Sequence, residues 1–405
     1  MEEWKEYKLR DFMEFNPKIK LAKDTLARKI TMDQLIPHCR DIHSWIYEPY
    51  SGGAKFENGD TIMARITPCL ENGKHAYVSC LDKGEVAYGS TEYIVIRGRK
   101  DISDNAFVYY LSHYPNFKNA AIKSMVGTSG RQRAQVDVLE NLIMTLPSLG
   151  EQRVIASFLK SFDDKIEVNR KINENLEQQA QALFKSWFVD FEPFKNGEFV
   201  ESELGMIPKG WRVEELTSFG RIVCGKTPSK TESSYYGGNI PFIKIPDMHN
   251  KVFVELSEDN LSQLGDESQP AKRIPPYSIL VSCIATVGLV CINTQESHTN
   301  QQINTIIPDL PIFRYYLYQK VLSLKDYLIN LGRGGTATLN VNTKIFGSIK
   351  VVKPTDELLL EYDKLVSPLF NIIEKNQQES RRLAELRDTL LPKLMSGELK
   401  VNEIA

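Results

Sequence analysis

Gly127-Thr-Ser-Gly-Arg131-Gln132-Arg133 and Gly332-Arg333-Gly-Gly-Thr336 are the stretches of this chain best suited to touch a phosphate-bearing ligand. Glycine lets the backbone approach an anion closely while a neighbouring arginine projects outward. A guanidinium is also the group that bonds a guanine edge in bidentate fashion. Either loop could equally be a structural turn that carries solvated arginines. Lys55, Arg65 and Lys74, with Lys226 and Lys244 further on, are the other cations set among β-rich runs. Each could position or read a polyanion, and each could be an ordinary surface charge. Thr299-Asn300-Gln301-Gln302 supplies amides suited to an adenine edge and equally suited to a strand end.

Other chemistry is suggested and then withdrawn by context. Gly220-Arg-Ile-Val-Cys-Gly-Lys-Thr227 fits the phosphate-loop pattern G-x-x-x-x-G-K-[ST]. That pattern works only where a strand precedes the loop and a helix follows it. Here Pro228 and a Ser/Gly-rich stretch ending at Gly237-Gly238 follow, which forbids a useful helix. His38, Cys39 and His43 lie close together but have no second cluster to complete a metal site. Neither a His-Glu-x-x-His nor an Asn-Pro-Pro-Tyr-type tetrapeptide occurs, so hydrolytic-metal and amino-methyl-transfer chemistry find no home. Chemistry on a base in a duplex needs a pocket for the extruded base; such a pocket is expected on a partner.

The totals are those of a multidomain globular protein. There are 405 residues, 42% hydrophobic and 25% charged, enough for two or three packed cores. The chain opens on charge, Met-Glu-Glu-Trp-Lys-Glu, and its longest uncharged stretch is broken by Pro275, Pro276 and Gly288. No secretory signal, no membrane span and a cytoplasmic location are therefore expected. Six scattered cysteines without a C-x-x-C pair suit free thiols in a reducing compartment. Net charge is −2, but it is uneven: residues 1–147 carry 20 Lys+Arg against 19 Asp+Glu, and 201–353 carry 16 against 14. Residues 148–200 and 354–405 are acidic, with 7 against 9 and 7 against 10. A nucleic-acid ligand would need the cations of the two neutral blocks gathered on one face.

The elements that must position these residues are written twice. Trp4-Lys-Glu-Tyr-Lys-Leu is echoed by Trp211-Arg-Val-Glu-Glu-Leu, Ala54–Ile62 by Ala271–Ile279, and Val126–Arg131 by Leu331–Thr336. Their shared order marks a tandem repeat. Each copy is a mixed block of short strands and helical patches followed by a long helix, so the class is α+β. The boundaries read as 1–147 (first block), 148–190 (central helix), 191–353 (second block) and 354–405 (C-terminal helix). Ser148 and Glu151 form the signature of a capping box. Ile155, Leu159, Phe162, Ile166, Ile172, Leu176, Leu183 and Trp187 then follow near-heptad spacing. So do Leu358, Tyr362, Leu365, Leu369, Ile372, Leu383, Leu386, Leu390 and Leu394. Two such helices are expected to pair as an antiparallel coiled coil. At about 38 residues each would run about 57 Å, longer than one domain needs. Asn169 and Asn376 fall in or beside the seams, where they could fix register or merely line an edge. Pro368 is expected to kink the second helix.

Three stretches resemble the specificity subunits of type I restriction–modification systems. They are Ala182-Leu-Phe-Lys-Ser-Trp-Phe-Val-Asp-Phe-Glu-Pro-Phe194, Gly225-Lys-Thr-Pro-Ser with Tyr235–Asp247, and Leu386–Leu399. The likeness extends over the whole chain; the first block matches less closely, with Phe56-x-x-Gly-Asp-x-x-x-Ala-Arg65 as its best signature. The resemblance implies a pseudo-twofold protein with two target recognition domains, each reading half of a bipartite double-stranded DNA site. On such a protein Lys55, Arg65, Lys74, Gly127, Arg131, Gln132, Arg133, Lys226, Lys244, Asn300, Gln301 and Arg333 are, by residue type and setting, the candidates for the DNA side. The resemblance also implies two methyltransferase subunits docked on the helices, at Phe184, Trp187, Phe188, Leu390 and Leu394, with translocase–nuclease subunits joining for cleavage. The chain itself would be non-catalytic; S-adenosylmethionine, ATP and Mg would belong to those partners. The competing readings are a coiled-coil scaffold that binds no DNA and a self-contained DNA methyltransferase.

Overall fold

The computed structural model describes residues 4–333 and 339–403. The chain forms two compact units, one of residues 1–169 with 379–405 and one of residues 170–378. Each contains one mixed block and a segment of both long helices, so the division falls within the helices and not at their ends.

In the first unit the strands are β1 (Lys5–Lys8), β2 (Met13–Phe15), β3 (Leu26–Ile30), β4 (Ile46–Pro49), β5 (Ala54–Phe56), β6 (Thr61–Ala64), β7 (His75–Tyr77), β8 (Ala87–Gly89), β9 (Tyr93–Gly98) and β10 (Ile143–Leu146). They form one sheet in the order β2-β9-β6-β7, a second in the order β4-β3-β8-β5, and the pair β1-β10. Thr61-Ile-Met-Ala and Tyr93-Ile-Val-Ile are buried on both faces, which is why they read as unbroken apolar runs. The helix Asn105–His113, capped by Asp104, packs its aromatic side chains into this core.

The second unit contains β11 (Phe199–Ser202), β12 (Gly205–Pro208), β13 (Arg212–Glu215), β14 (Gly220–Cys224), β15 (Tyr236–Ile243), β16 (Phe253–Val254), β17 (Asn260–Leu261), β18 (Ile279–Ser282), β19 (Val290–Asn293), β20 (His298–Thr299), β21 (Ile303–Pro308) and β22 (Lys350–Lys353). Its main sheet runs β14-β21-β18-β19-β16. Strand for strand, this is the order β2-β9-β6-β7 with β16 added at the edge. β15 lies parallel to β20, as β3 does to β8, and β13 pairs with β22, as β1 does with β10. The repeat legible in the sequence is thus a repeat of topology. The phosphate-loop pattern at 220–227 is strand β14 followed by an irregular segment, and only a single 3-10 turn, Ser233–Tyr235, comes before β15.

The long helices are Leu149–Phe188 and Asp356–Ser396. In the first unit Asp163 faces Arg387, and Asn169 Nδ2 donates to Glu379 Oε2 at 2.7 Å and to Ser380 Oγ at 3.3 Å. In the second unit Asn376 Nδ2 donates to Asn173 Oδ1 at 2.9 Å, and Phe188 packs edge-on against Tyr362. Partners fall in number as residues rise, so the pairing is antiparallel within each unit. Both asparagines therefore bond across the pair.

Three details differ from the sequence expectation. The second helix passes Pro368 unbroken; an exposed proline removes one amide but leaves the flanking turns bonded. Glu151 accepts from the Trp4 indole at 3.0 Å, while Gln152 bonds the carbonyls of Pro147 and Ile102 at the helix start. The seam is also shifted: Ile172, Leu365, Ile372 and Leu386 are exposed, and Leu359, Val366, Phe370, Ile373 and Leu391 are buried. Asp163, Asn169, Asn173 and Arg387 share that buried line. Apolar periodicity cannot register a seam position that a paired polar group occupies.

Candidate nucleic-acid interface

In the first unit three loops meet beyond the ends of β6, β8 and the helix Pro115–Lys123. The Arg65 amide donates to the Glu92 carbonyl at 2.9 Å, the Thr67 amide to the Gln132 carbonyl at 3.0 Å, and the Ala134 amide to the Arg65 carbonyl at 2.8 Å. Val126 and Arg133 exchange amide and carbonyl bonds across the loop neck. Gly127 needs to be glycine: at φ +137°, a Cβ would stand 2.8 Å from the Arg131 carbonyl oxygen. The Arg133 guanidinium grips both Glu92 oxygens at 2.6–3.0 Å, and this bond raises the arginine's pKa. The Glu92 amide donates to Ser90 Oγ at 3.1 Å.

The second unit repeats most of these backbone bonds, with a single bond at the loop neck and no counterpart of the Arg133–Glu92 pair among its described residues. The Cys283 amide donates to the Gln302 carbonyl at 2.8 Å, Ala285 to Leu339 at 3.0 Å, and Val341 to Cys283 at 2.9 Å. The Asn340 amide closes the loop neck on Gly332, as Arg133 does on Val126. The Gln302 amide donates to Asn300 Oδ1 at 3.1 Å, as Glu92 does to Ser90. Ser90-Thr-Glu92 and Asn300-Gln-Gln302 are therefore equivalent turns. In the first unit, where the loop is tied at its neck and flanks, little entropy is lost on contact, which suits hydrogen-bond readout of a base edge.

The sequence candidates separate by what their side chains do. Arg131, Lys226, Gln301 and Arg333 are exposed. Gln301 Oε1 also accepts from Thr227 Oγ1 at 2.7 Å, and Arg333 Nη1 lies 3.4 Å from Asn330 Oδ1. Gly127 and Gln132 shape the first loop through their backbone. Arg65 Nη2 donates to the Ala134 carbonyl at 2.9 Å, Lys74 Nζ to the Met32 carbonyl at 2.7 Å, and Arg133 holds Glu92. Lys244 Nζ pairs with Asp259 at 2.6 Å, which raises its pKa. Asn300 is buried and bonds Gln302, and the Lys55 ammonium stands 5.8 Å from the Tyr50 ring centroid. For Arg65, Lys74, Arg133, Lys244 and Asn300 the structure thus supplies an internal role: each shapes a loop or strand end. Gly334, Gly335 and Thr336 of the second glycine loop lie outside the described residues.

Sequence reasoning missed Glu92 and Ser90. Aligning the turns after β8 and β20 would have found them, but neither turn carries a residue-type signal of its own. His43 Nε2 lies 2.9 Å from Glu167, and Cys39 Sγ donates to the Asp41 carbonyl. Among the described residues no cluster of three or more His, Cys, Asp or Glu is placed to hold a metal ion, and no helix is long and apolar enough to cross a membrane.

The model of the type I restriction modification DNA specificity domain matches residues 1–178 and again 208–386. The chain belongs to the type I restriction–modification DNA specificity family. The specificity subunit of the type I restriction enzyme HindI, from Haemophilus influenzae, is 35% identical across 98% of this chain and all of that protein. The MjaIX specificity subunit of Methanocaldococcus jannaschii is 32% identical across 75% of this chain and 71% of that one. The S subunit of a type I restriction–modification system from M. genitalium shares the fold at TM-score 0.55, with 15% identity over 97% of this chain and 96% of that one.

The structure places the partner-side candidates mainly in the chain's own cores. Phe184 and Phe188 belong to the core of the second unit, and Leu394 to that of the first, each 5% exposed or less. Trp187 and Leu390 are partly buried against the same cores. Large apolar side chains go to whichever core the helix covers first. The exposed apolar groups on the helices, among the described residues, are Val154, Val168, Ile172, Leu360, Leu365, Ile372 and Leu386.

Proposed function

We propose that this chain reads a bipartite double-stranded DNA target, one half through each unit's loop cluster, within a type I restriction–modification complex. The observation that carries the reading is that the backbone bonds joining the turn after β8 to the segment after β6, and that segment to the loop neck, recur around β20 and β18 in a block whose side chains differ. Equal scaffolds with different tips would read two different half-sites in the same manner. Arg131, Lys226, Gln301 and Arg333 are the exposed candidates that would meet phosphate or base edges. Arg65, Glu92 and Arg133 shape the loop of the first unit; Asn300 and Gln302 shape the turn after β20 in the second. Two methyltransferase subunits would dock on the helices at their exposed apolar residues, such as Leu365 and Ile372 in the second unit and Leu386 in the first, with translocase–nuclease subunits completing the assembly. The chain would be non-catalytic, with S-adenosylmethionine, ATP and Mg held by those partners.

The test is the modified motif in cells that carry this chain with its methyltransferase partner, mapped by long-read sequencing. Exchanging residues 1–147 for the equivalent block of a relative should change one half of the motif and leave the other intact. A change in both halves would sink the independent-reader proposal. Absence of any sequence-specific modification would favour a scaffold instead. Methyl transfer by the purified chain alone would favour a self-contained enzyme.

A further inference from the structure

In the second unit the peptide of Lys226 is held from both sides. Its amide donates to the Thr299 carbonyl at 2.9 Å, and its carbonyl accepts from Gln269 Nε2 at 3.0 Å. Close approach is possible because residue 225 is glycine: a Cβ there would lie 2.2 Å from the Asn300 carbonyl oxygen and 2.3 Å from that of Thr299. Gln269 is itself held. Its Nε2 lies 3.2 Å from His298 Nδ1, and His298 Nε2 lies 2.7 Å from Asp266 Oδ1. Asp266 is gripped in turn by the Arg273 guanidinium. Gln269, His298 and Asp266 are buried, while the Lys226 side chain is exposed.

The donor sense of this chain of bonds is determined. A peptide carbonyl can only accept, so the Gln269 atom facing Lys226 is its NH2 group. Because that same nitrogen faces His298 Nδ1, the ring accepts there and donates from Nε2 to Asp266. The row ends on the backbone that presents an exposed cation. The equivalent of His298 in the first unit is Tyr88, whose hydroxyl bonds the carbonyls of Glu48 and Pro49, so the device belongs to the second block alone. An unlinked ammonium on a free loop would lose rotamer and backbone entropy on contact; a clamped peptide has already lost the backbone part.

We infer that Gln269, His298 and Asp266 are positioning residues that fix Lys226 for contact with one half of the DNA target. The inference rests on the proposal that the second unit reads DNA. It is tested in the assembled complex with the methyltransferase subunits, using duplexes that carry the motif mapped for the wild type or that motif with one half scrambled. Gln269→Met keeps the side chain's length but removes the donor. It should lower affinity for the intact motif about tenfold, as loss of one good contact does. Combined with Lys226→Ala, it should add about nothing further, because both changes remove the same contact. Gln269→Glu, which turns an acceptor toward the Lys226 carbonyl, carries the same test should the methionine variant not assemble. Unchanged affinity in the Gln269 variants overturns the inference. So does a loss equally large with and without the Lys226 side chain, which would mark a purely structural role. A wild-type complex that does not distinguish the intact from the scrambled motif overturns instead the DNA-reading proposal itself.

Discussion

Lowering the pH should loosen the first unit through two imidazoles enclosed in its core. His75 and His113 lie against each other with ring centroids 4.6 Å apart and planes tilted by 40°, and neither Nε2 has a partner among the described residues. Burial, with Lys118 and His38 nearby, holds His75 down at about 3. Burial, followed by His75, Arg387 and other nearby cations, holds His113 well below its ordinary value. In the unfolded chain both titrate near about 6.5. The unfolded state therefore binds more protons below that pH, so this stability is fully present above about pH 7.5 and declines as pH falls through 6.5 toward 3. At pH 5 an imidazole about 1.5 units below its unfolded pKa, but still neutral in the fold, costs about 2 kcal/mol. His113, which is less enclosed as a residue, acts in the same direction. Total stabilities of about 5–15 kcal/mol make such a loss large. The assay is amide hydrogen exchange of β7 and the helix Asn105–His113 at pH 7.5 and 5, corrected for intrinsic rates, in the wild type and in His75→Asn/His113→Phe. The wild type should lose about 2 kcal/mol or more of protection between the two pH values, and the double variant about 2 kcal/mol less than that. An identical pH response in the two proteins would refute the assignment of the acid lability to these rings.

Arg387→Met should cost the first unit about 3–5 kcal/mol in denaturant titration, because it strands the buried Asp163 carboxylate that also accepts from the Tyr110 hydroxyl at 2.6 Å. In the second unit the corresponding junction is aromatic, with Tyr315 stacked on Phe370 at 4.2 Å. Phe370→Ala should therefore lower its stability by about 3–5 kcal/mol, with the loss read by the same titration. Arg131→Ala should leave partner assembly intact while weakening DNA binding by about 1–3 kcal/mol for a base contact, or lowering the salt slope by about one for a phosphate contact. Ile372→Asp, at an exposed helix position, should leave the melting temperature within about a degree or two of wild type and weaken capture of the methyltransferase subunits in a pull-down.

The order of elements was legible in the sequence because strand alternation, turn residues and helical periodicity are local. The two Trp-led starts, the paired blocks and the long helices all follow from spacing alone. So does the dismissal of the phosphate-loop pattern, since Pro228 decides against a following helix whatever the rest of the chain does. The seam was not legible in full. A helix with apolar residues on more than one face can be read in neighbouring registers, and only packing decides that Leu359, Val366 and Ile373 go inward while Leu365 and Ile372 stay out. Asp163 and Arg387, or Asn169 and Glu379, are separated by more than 200 residues, so nothing local marks them as partners. The same holds at the candidate interface. Sequence could pick out glycine loops and cations, but an exposed arginine and one that clamps Glu92 look alike until the turn after β8 is brought beside the loop. Which cations remain free for a ligand is a property of long-range pairing, and that is settled only when the chain has folded.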